Sequence, residues 1–342
     1  MRGSRPPAAA TRRRGSWESA HRHDTLGFEV ERILPGGIVR SFAYDDIASG
    51  GCPHTQGLAH THMRRYRWGV ADRLLSVEDS RRGETRYSYT PTGQLERAEY
   101  PDGRERWRKS DQTGNLYPDP DMKLRRYLGG GRLEQDGEWH CEYDADGNLT
   151  ERYLGTGRWL DGKKDRWRYR WNADGSLAKV IRPDKREVEF TYDALGRRLS
   201  KSFGTTVTRW IWNGNVPLHQ WKRHREYSVV EDRWNTDTER RDMTVWLFDE
   251  DSFVPVAMIK EGRSYSILTD QLGTPTEAYD TEGNEVWSRV LDMDGNVIEE
   301  TGNKGMVPFL FQGQYYDRET GLAYNRFRYY DPRQVRTYHR TP

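Results

Sequence analysis

The segments CEYDADGNLTER (141–152), YRWNADGSLAKV (169–180) and FTYDALGRRLSK (190–201) follow one plan, in which an aromatic residue precedes a polar turn that ends on glycine. YRWGVADRLLSV (66–77), YSYTPTGQLERA (87–98) and WRKSDQTGNLYP (107–118) extend the series towards the N-terminus. The turn positions are Asp72, which replaces glycine, then Gly93, Gly114, Gly147, Gly175 and Gly196, at intervals of 21 to 33 residues. Four residues before them stand Trp68, Tyr89, Tyr143, Trp171 and Tyr192, with Ser110 as the exception; Leu74, Leu95, Leu116, Leu149 and Leu177 recur two residues after them. A period of this kind identifies a repeat architecture before any single element is read.

One unit explains itself locally. In YDADGNL, the Asp-Gly pair at 146 and 147 supplies the positive φ of a tight turn, to which Asp144 also belongs. The flanking residues alternate: in RWRYRW (166–171) Trp167, Tyr169 and Trp171 share one face and Arg166, Arg168 and Arg170 the other, and Val188, Phe190 and Tyr192 share a face in VEFTY. Asp193 holds the same turn place as Asp144. Each unit is therefore a β-hairpin, and PDGRERW (101–107) and PDKREVE (183–189) supply turns between hairpins. Isolated hairpins are marginal in water, so the units must pair edge to edge. The expected fold is all-β, a one-layer hairpin strip wet on both faces.

Composition fits a strip. Of 342 residues only 34% are hydrophobic, yet 13 are Trp and 20 Tyr, so aromatic ladders replace an aliphatic interior. Lys+Arg 55 against Asp+Glu 53 leaves a net charge of +2, which gives no electrostatic pull towards nucleic acid or anionic membrane. No apolar run approaches the roughly 18 residues of a spanning helix. Residues 1–23 are Arg-rich without a signal-peptide core and are read as a disordered tail.

Three C-terminal strings resemble the core-associated block of the Rhs/YD-repeat family: VWLFDEDSFVPVAMI (245–259), YSILTDQLGTPTEAYDTEGNEVW (265–287) and FQGQYYDRETGLAYNRFRYYDP (311–332). The matching positions include Asp270, Gly273, Pro275, Gly313, Gln314, Tyr316, Asp317, Gly321, Tyr324, Asn325, Arg328, Tyr330, Asp331 and Pro332. The resemblance spans about residues 24 to 332, divided into repeats (24–205) and the core-associated block (206–332), with 333–342 as a divergent tail. It implies a teneurin-like YD shell, here a partial one, that sequesters a toxin domain of the same chain. Such proteins are cargo or effectors of type VI secretion, or toxin-complex subunits. The implied partners are the toxin, its immunity protein and a secretion spike or adaptor, and the implied location is cytoplasmic before export and then secreted or delivered.

The end departs from that pattern. Where the family continues with Gly, an aromatic, Ile and a second Asp-Pro, this chain reads RQVRTYHRTP. Read in a shifted frame, degenerate codons for that tail allow the family continuation, so a frameshift just after Pro332 is expected. On this reading the self-cleavage motif and the toxin are missing, and the polypeptide is no enzyme.

Other constellations are weaker. Cys52, His54, His60 and His62 offer metal-ligand types at no standard spacing and are read as a solvated loop; no metal or cofactor is expected. The Arg/aromatic alternation suits a sheet better than a nucleic-acid surface, while a carbohydrate-binding or adhesion strip is the alternative function. Most aspartates are turn residues, including Asp280 and Asp294. Asp317 and Asp331 alone are connected with function, against a structural reading as turn and strand end.

Overall fold

The chain was analysed as a computed structural model that describes residues 9–14, 17–44, 52–56, 61–155 and 162–339. Its regular elements are antiparallel strands, apart from one 3-10 turn at Gly129–Gly131. A ten-stranded sheet runs from Ala9–Arg14 to Glu105–Trp107, a short pair follows, and a seventeen-stranded sheet runs from Arg125–Leu128 to Val297–Gly302. Tyr315–Asp317, Leu322–Asn325, Arg328–Asp331 and Arg336–His339 form a separate four-stranded sheet. Strands that follow each other in sequence pair almost throughout, as a hairpin strip requires, except that Val216–Ser228 also pairs with Arg241–Phe248 past Arg233–Thr236; among the described residues no sheet closes into a barrel. The 205/206 division falls inside a hairpin, because Arg198–Phe203 pairs with Thr206–Asn213.

The repeat has a mechanical basis. Where Asp opens the turn its carboxylate accepts backbone amides: Asp144 takes the amide of Asn148, and Asp193 those of Leu195 and Arg197. Gly147, Gly175 and Gly196 all have positive φ, and each donates its N–H to the carbonyl of the residue three back. The unit's aromatic then ties it to the preceding unit. Tyr89 donates to the carbonyl of Leu74 (2.8 Å), Tyr143 to Leu133 (2.8 Å), Trp171 to Leu149 (2.7 Å), Tyr192 to Leu177 (2.8 Å) and Trp212 to Arg198 (2.8 Å). The strand register slips immediately before each of these aromatics, at Ser88/Tyr89, Glu142/Tyr143, Arg170/Trp171, Thr191/Tyr192 and Ile211/Trp212. A bulge bends its strand and adds twist, so a bulge in every unit makes the strip curl.

The strip is layered, which corrects the expectation of a single sheet wet on both sides. In the stretch 245–287 successive side chains serve two cores. Trp246, Phe248, Met258, Ile267, Ala278 and Trp287 pack with Phe309, Tyr315 and Tyr324 of the C-terminal block. Leu247, Ala257, Leu268 and Tyr279 pack on the other side, against Trp17, Leu34 and Ile38. Period-two alternation reads equally well as one buried face or two, and only long-range contacts separate the cases.

The N-terminal expectation is corrected for residues 9–14 and 17–23, while residues 1–8, 15 and 16 lie outside the described residues. Ala9–Arg14 pairs with Trp17–His23, and Trp17 is 3% exposed with its indole N–H donated to Ser266 Oγ at 3.0 Å. Gly36 shows how close the layers come, since a Cβ there would lie 2.3 Å from the backbone nitrogen of Gly283. Residues 333–339 of the tail join the fold as well: Arg336–His339 pairs with Arg328–Asp331, and Gln334 and Tyr338 are buried, while 340–342 lie outside the described residues. The aromatic face of RWRYRW turns inward, with Tyr169 buried and Trp167 and Trp171 packed against the same core.

Candidate functional site

The expected site residues fall into two groups. Asp270, Gly273 and Pro275 build the turn before the strand Pro275–Tyr279, where Asp270 Oδ1 accepts the amides of Leu272 (2.9 Å) and Thr274 (2.8 Å). Gly313 and Gln314 lead into the small sheet that holds Tyr316, Asp317, Tyr324, Asn325, Arg328, Tyr330 and Asp331, with Gly321 in its first turn and Pro332 after its third strand. The groups touch where Gln312 Nε2 donates to the carbonyl of Leu272.

Asp317 and Asp331 are strand-end residues, and the structure also makes them buried counter-ions with no exposed surface. Arg198, 1% exposed, meets Asp317 with two nitrogens at 2.5 and 3.2 Å, and Lys201 Nζ reaches the same carboxylate at 3.0 Å. Burial opposes the charge on Asp317, but Arg198 and Lys201 outweigh it and hold the carboxyl below its usual range. The Arg198 guanidinium lies over Trp210 and Tyr324 at 4.5 Å from each ring centre and over Tyr315 at 5.2 Å. Asp331 receives Arg152 at 2.7 Å, itself stacked over Trp139 at 4.8 Å. Nearby, Tyr192 and Tyr329 share a hydroxyl contact at 2.8 Å. Two carboxylates so enclosed and so paired act as clamps that fix the small sheet to the strip.

The sequence reading missed the cations. Arg198 stands two residues after Gly196, the place that leucine fills after the earlier turns, and a charge at a repeated core position was the available signal. Asp294, read as a turn residue, is a third buried counter-ion: Arg106 Nε at 2.7 Å and Arg108 Nη2 at 2.6 Å bind the ten-stranded sheet to it.

A fourth cluster also joins the sheets. His62 Nε2 lies 3.0 Å from both Asp79 oxygens and its Nδ1 lies 2.9 Å from Glu277, while Arg64 binds the same two carboxylates. The metal set weighed from sequence thus has one described member, already committed to carboxylates; the side chains of Cys52, His54 and His60 lie outside the described residues. Burial opposes protonation of His62, yet Asp79 and Glu277 prevail and raise its pKa, and Arg64 and His62 hold Glu277 at about 2 against the same burial. A folded-state pKa above the unfolded one gives stability that is complete below the unfolded value and is lost as pH rises through the folded value. The urea midpoint is therefore expected to fall as pH is raised from mildly acid to mildly alkaline, with a smaller slope in His62→Gln. Equal slopes in the two proteins would show that His62 does not titrate as described.

Beside that cluster lies a cavity of about 800 Å³ between the two large sheets, lined by Tyr66, Trp68, Tyr87, Tyr100, Asp270 and Tyr330 among others.

Comparison with known proteins places this architecture. The Teneurin YD-shell family matches residues 61–339. The chain is 30% identical to double-stranded DNA deaminase toxin A of Burkholderia cenocepacia (strain H111), over 90% of this chain and 23% of that protein. It is 26% identical to the probable deoxyribonuclease RhsA of Dickeya dadantii (strain 3937), over 91% of this chain and 21% of that protein. The chain thus spans about a quarter or less of the length of these relatives. Among solved structures, the TcdB2-TccC3-Cdc42 complex superimposes with a TM-score of 0.54 at 13% identity, over 97% of this chain and 18% of that one. With bulged hairpins, aromatic ties and a family match across most of its length, the chain belongs to the Teneurin YD-shell family.

Proposed function

We propose that this chain forms part of the wall of a shell that encloses a toxin and delivers it to competing bacteria or to a host, and that the wall itself does no chemistry. The observation that carries the reading is the pinning of the small C-terminal sheet to a curling strip through buried Asp317 and Asp331, in a chain similar along most of its length to named toxins. A strip stiffened by a clamp suits containment, because the wall must hold its curvature against an unfolded occupant. Export by type VI secretion, a toxin partner and an immunity protein belong to this proposal.

The test is purification of the protein from the cells that make it, through an epitope inserted in the exposed 229–232 turn, followed by limited proteolysis. A toxin segment, in the same chain or bound to it, should resist protease until the shell is unfolded by urea. Recovery of the protein with no protected toxin segment would sink the proposal. Cleavage of added DNA, or deamination of its bases, by the isolated 342-residue chain would overturn its non-enzymatic half.

A further inference from the structure

The cavity between the two large sheets contains an unmatched carboxylate. Its wall carries several charges, and nearly all are neutralised locally. Arg64 is bound to Asp79 and Glu277, Arg82 to Glu299, Arg104 to Asp102 and Arg108 to Asp294. Arg289 is turned to the carbonyls of Val307 and Phe309. Asp292 has Arg106 at 3.7 Å and the Asn296 amide at 2.9 Å. Asp270 differs: among the described residues no Lys, Arg or His lies within ion-pair distance of it, Arg64 acts on it only from farther off, and the hydrogen bonds it accepts come from neutral groups, the amides of Leu272 and Thr274 among them.

The surroundings of Asp270 suit a cation. The rings of Tyr66, Trp68, Tyr87, Tyr89 and Tyr100 line the same space, and aromatic faces attract organic cations. Tyr66 Oη is buried without a hydrogen-bond partner and can accept from an N–H donor. Burial pushes the Asp270 carboxyl up, as befits a carboxylate short of a counter-charge. The space of about 800 Å³ is the size of a small-molecule site.

We propose that this cavity is a binding site for an organic ammonium cation carried on an apolar or aromatic body, with Asp270 as its counter-ion and the surrounding tyrosines and Trp68 as its cage. The site does not depend on the containment reading and stands or falls separately. The cation can come from a free amine or from a lysine side chain of a peptide, and the two sources share this chemistry.

Calorimetric titration of the full chain with benzylamine, with benzyl alcohol as its neutral counterpart, tests the site. A second pair of probes is the blocked tripeptides Phe-Lys-Phe and Phe-norleucine-Phe. Each cationic probe that binds should bind at least about tenfold more tightly than its neutral counterpart. Asp270→Asn keeps the Oδ1 cap of the turn and removes the charge, so it should erase that preference, and Tyr87→Leu should weaken the cationic probe. Tighter binding of benzylamine or of the lysine peptide upholds the site and names its source. Absence of saturable binding by either cation, equal binding of the neutral probes, or an unchanged preference in a folded Asp270→Asn protein overturns it.

Discussion

Replacing Asp317 by Asn should lower the stability of the chain by about 3 to 5 kcal/mol, the cost of leaving a buried charge without its partner. The amide keeps the shape and some hydrogen bonding, but Arg198 and Lys201 lose the carboxylate that neutralises them at 2.5 and 3.0 Å. Lys201 retains Glu319 at 2.8 Å, whereas Arg198 retains only aromatic faces and a hydroxyl. The effect should therefore concentrate on the small sheet, with protease cutting within 311–339 before the strip itself yields. Adding Arg198→Met removes the stranded guanidinium and should restore part of the loss, since an apolar replacement for both partners avoids their desolvation. Urea unfolding of the single and double variants decides the matter: a single variant within about 0.5 kcal/mol of the parent would mean that the pair behaves like an exposed one.

Replacing Trp17 by Ala should cost about 3 to 5 kcal/mol, the usual price of emptying a large aromatic site in a core. Trp17 fills the seam between the first strands and the stretch 247–279, and its indole N–H is satisfied by Ser266. Amide exchange should accelerate along Glu29–Leu34 and Ile38–Ala43 while Tyr315–Asp317 keeps its protection, because the two cores lie on opposite faces of the long sheet. A silent Trp17→Ala variant would return the N-terminal segment to the free tail that its composition suggests.

These two variants mark where the sequence was legible. The hairpins could be read because every unit carries its own turn chemistry: Asp144 and Asp193 cap amides within four residues of themselves, and Gly147 and Gly196 need no distant partner to adopt positive φ. The aromatic and leucine positions were also legible as a period, although not as donor and acceptor of one hydrogen bond. The seams were not legible. Trp17 and Ser266 are 249 residues apart, and RRRGSWESAHRH has the composition of a solvated segment until its partner is known. Arg198 and Asp317 stand 119 residues apart, and although the leucine place that Arg198 takes marks it as a core position, nothing local names Asp317 as its partner. Turn preference accounted for Asp294 so well that its second role, as anchor for Arg106 and Arg108, left no separate trace.

The aromatic tie has a consequence for assembly order. Each tyrosine or tryptophan bonds to a carbonyl 10 to 22 residues behind it, so contacts along the strip are of short range and each hairpin can dock as soon as its predecessor exists. Low contact order of this kind favours rapid, stepwise folding as the chain leaves the ribosome. The clamp obeys the opposite rule. Arg152, Arg198 and Lys201 emerge long before residues 317 and 331, and until those carboxylates arrive the core they occupy stays hydrated and open. The strip thus remains pliable while residues 152–316 are made and stiffens only once the small sheet has docked, so that rigidity arrives a hundred residues and more after the cations that anchor it.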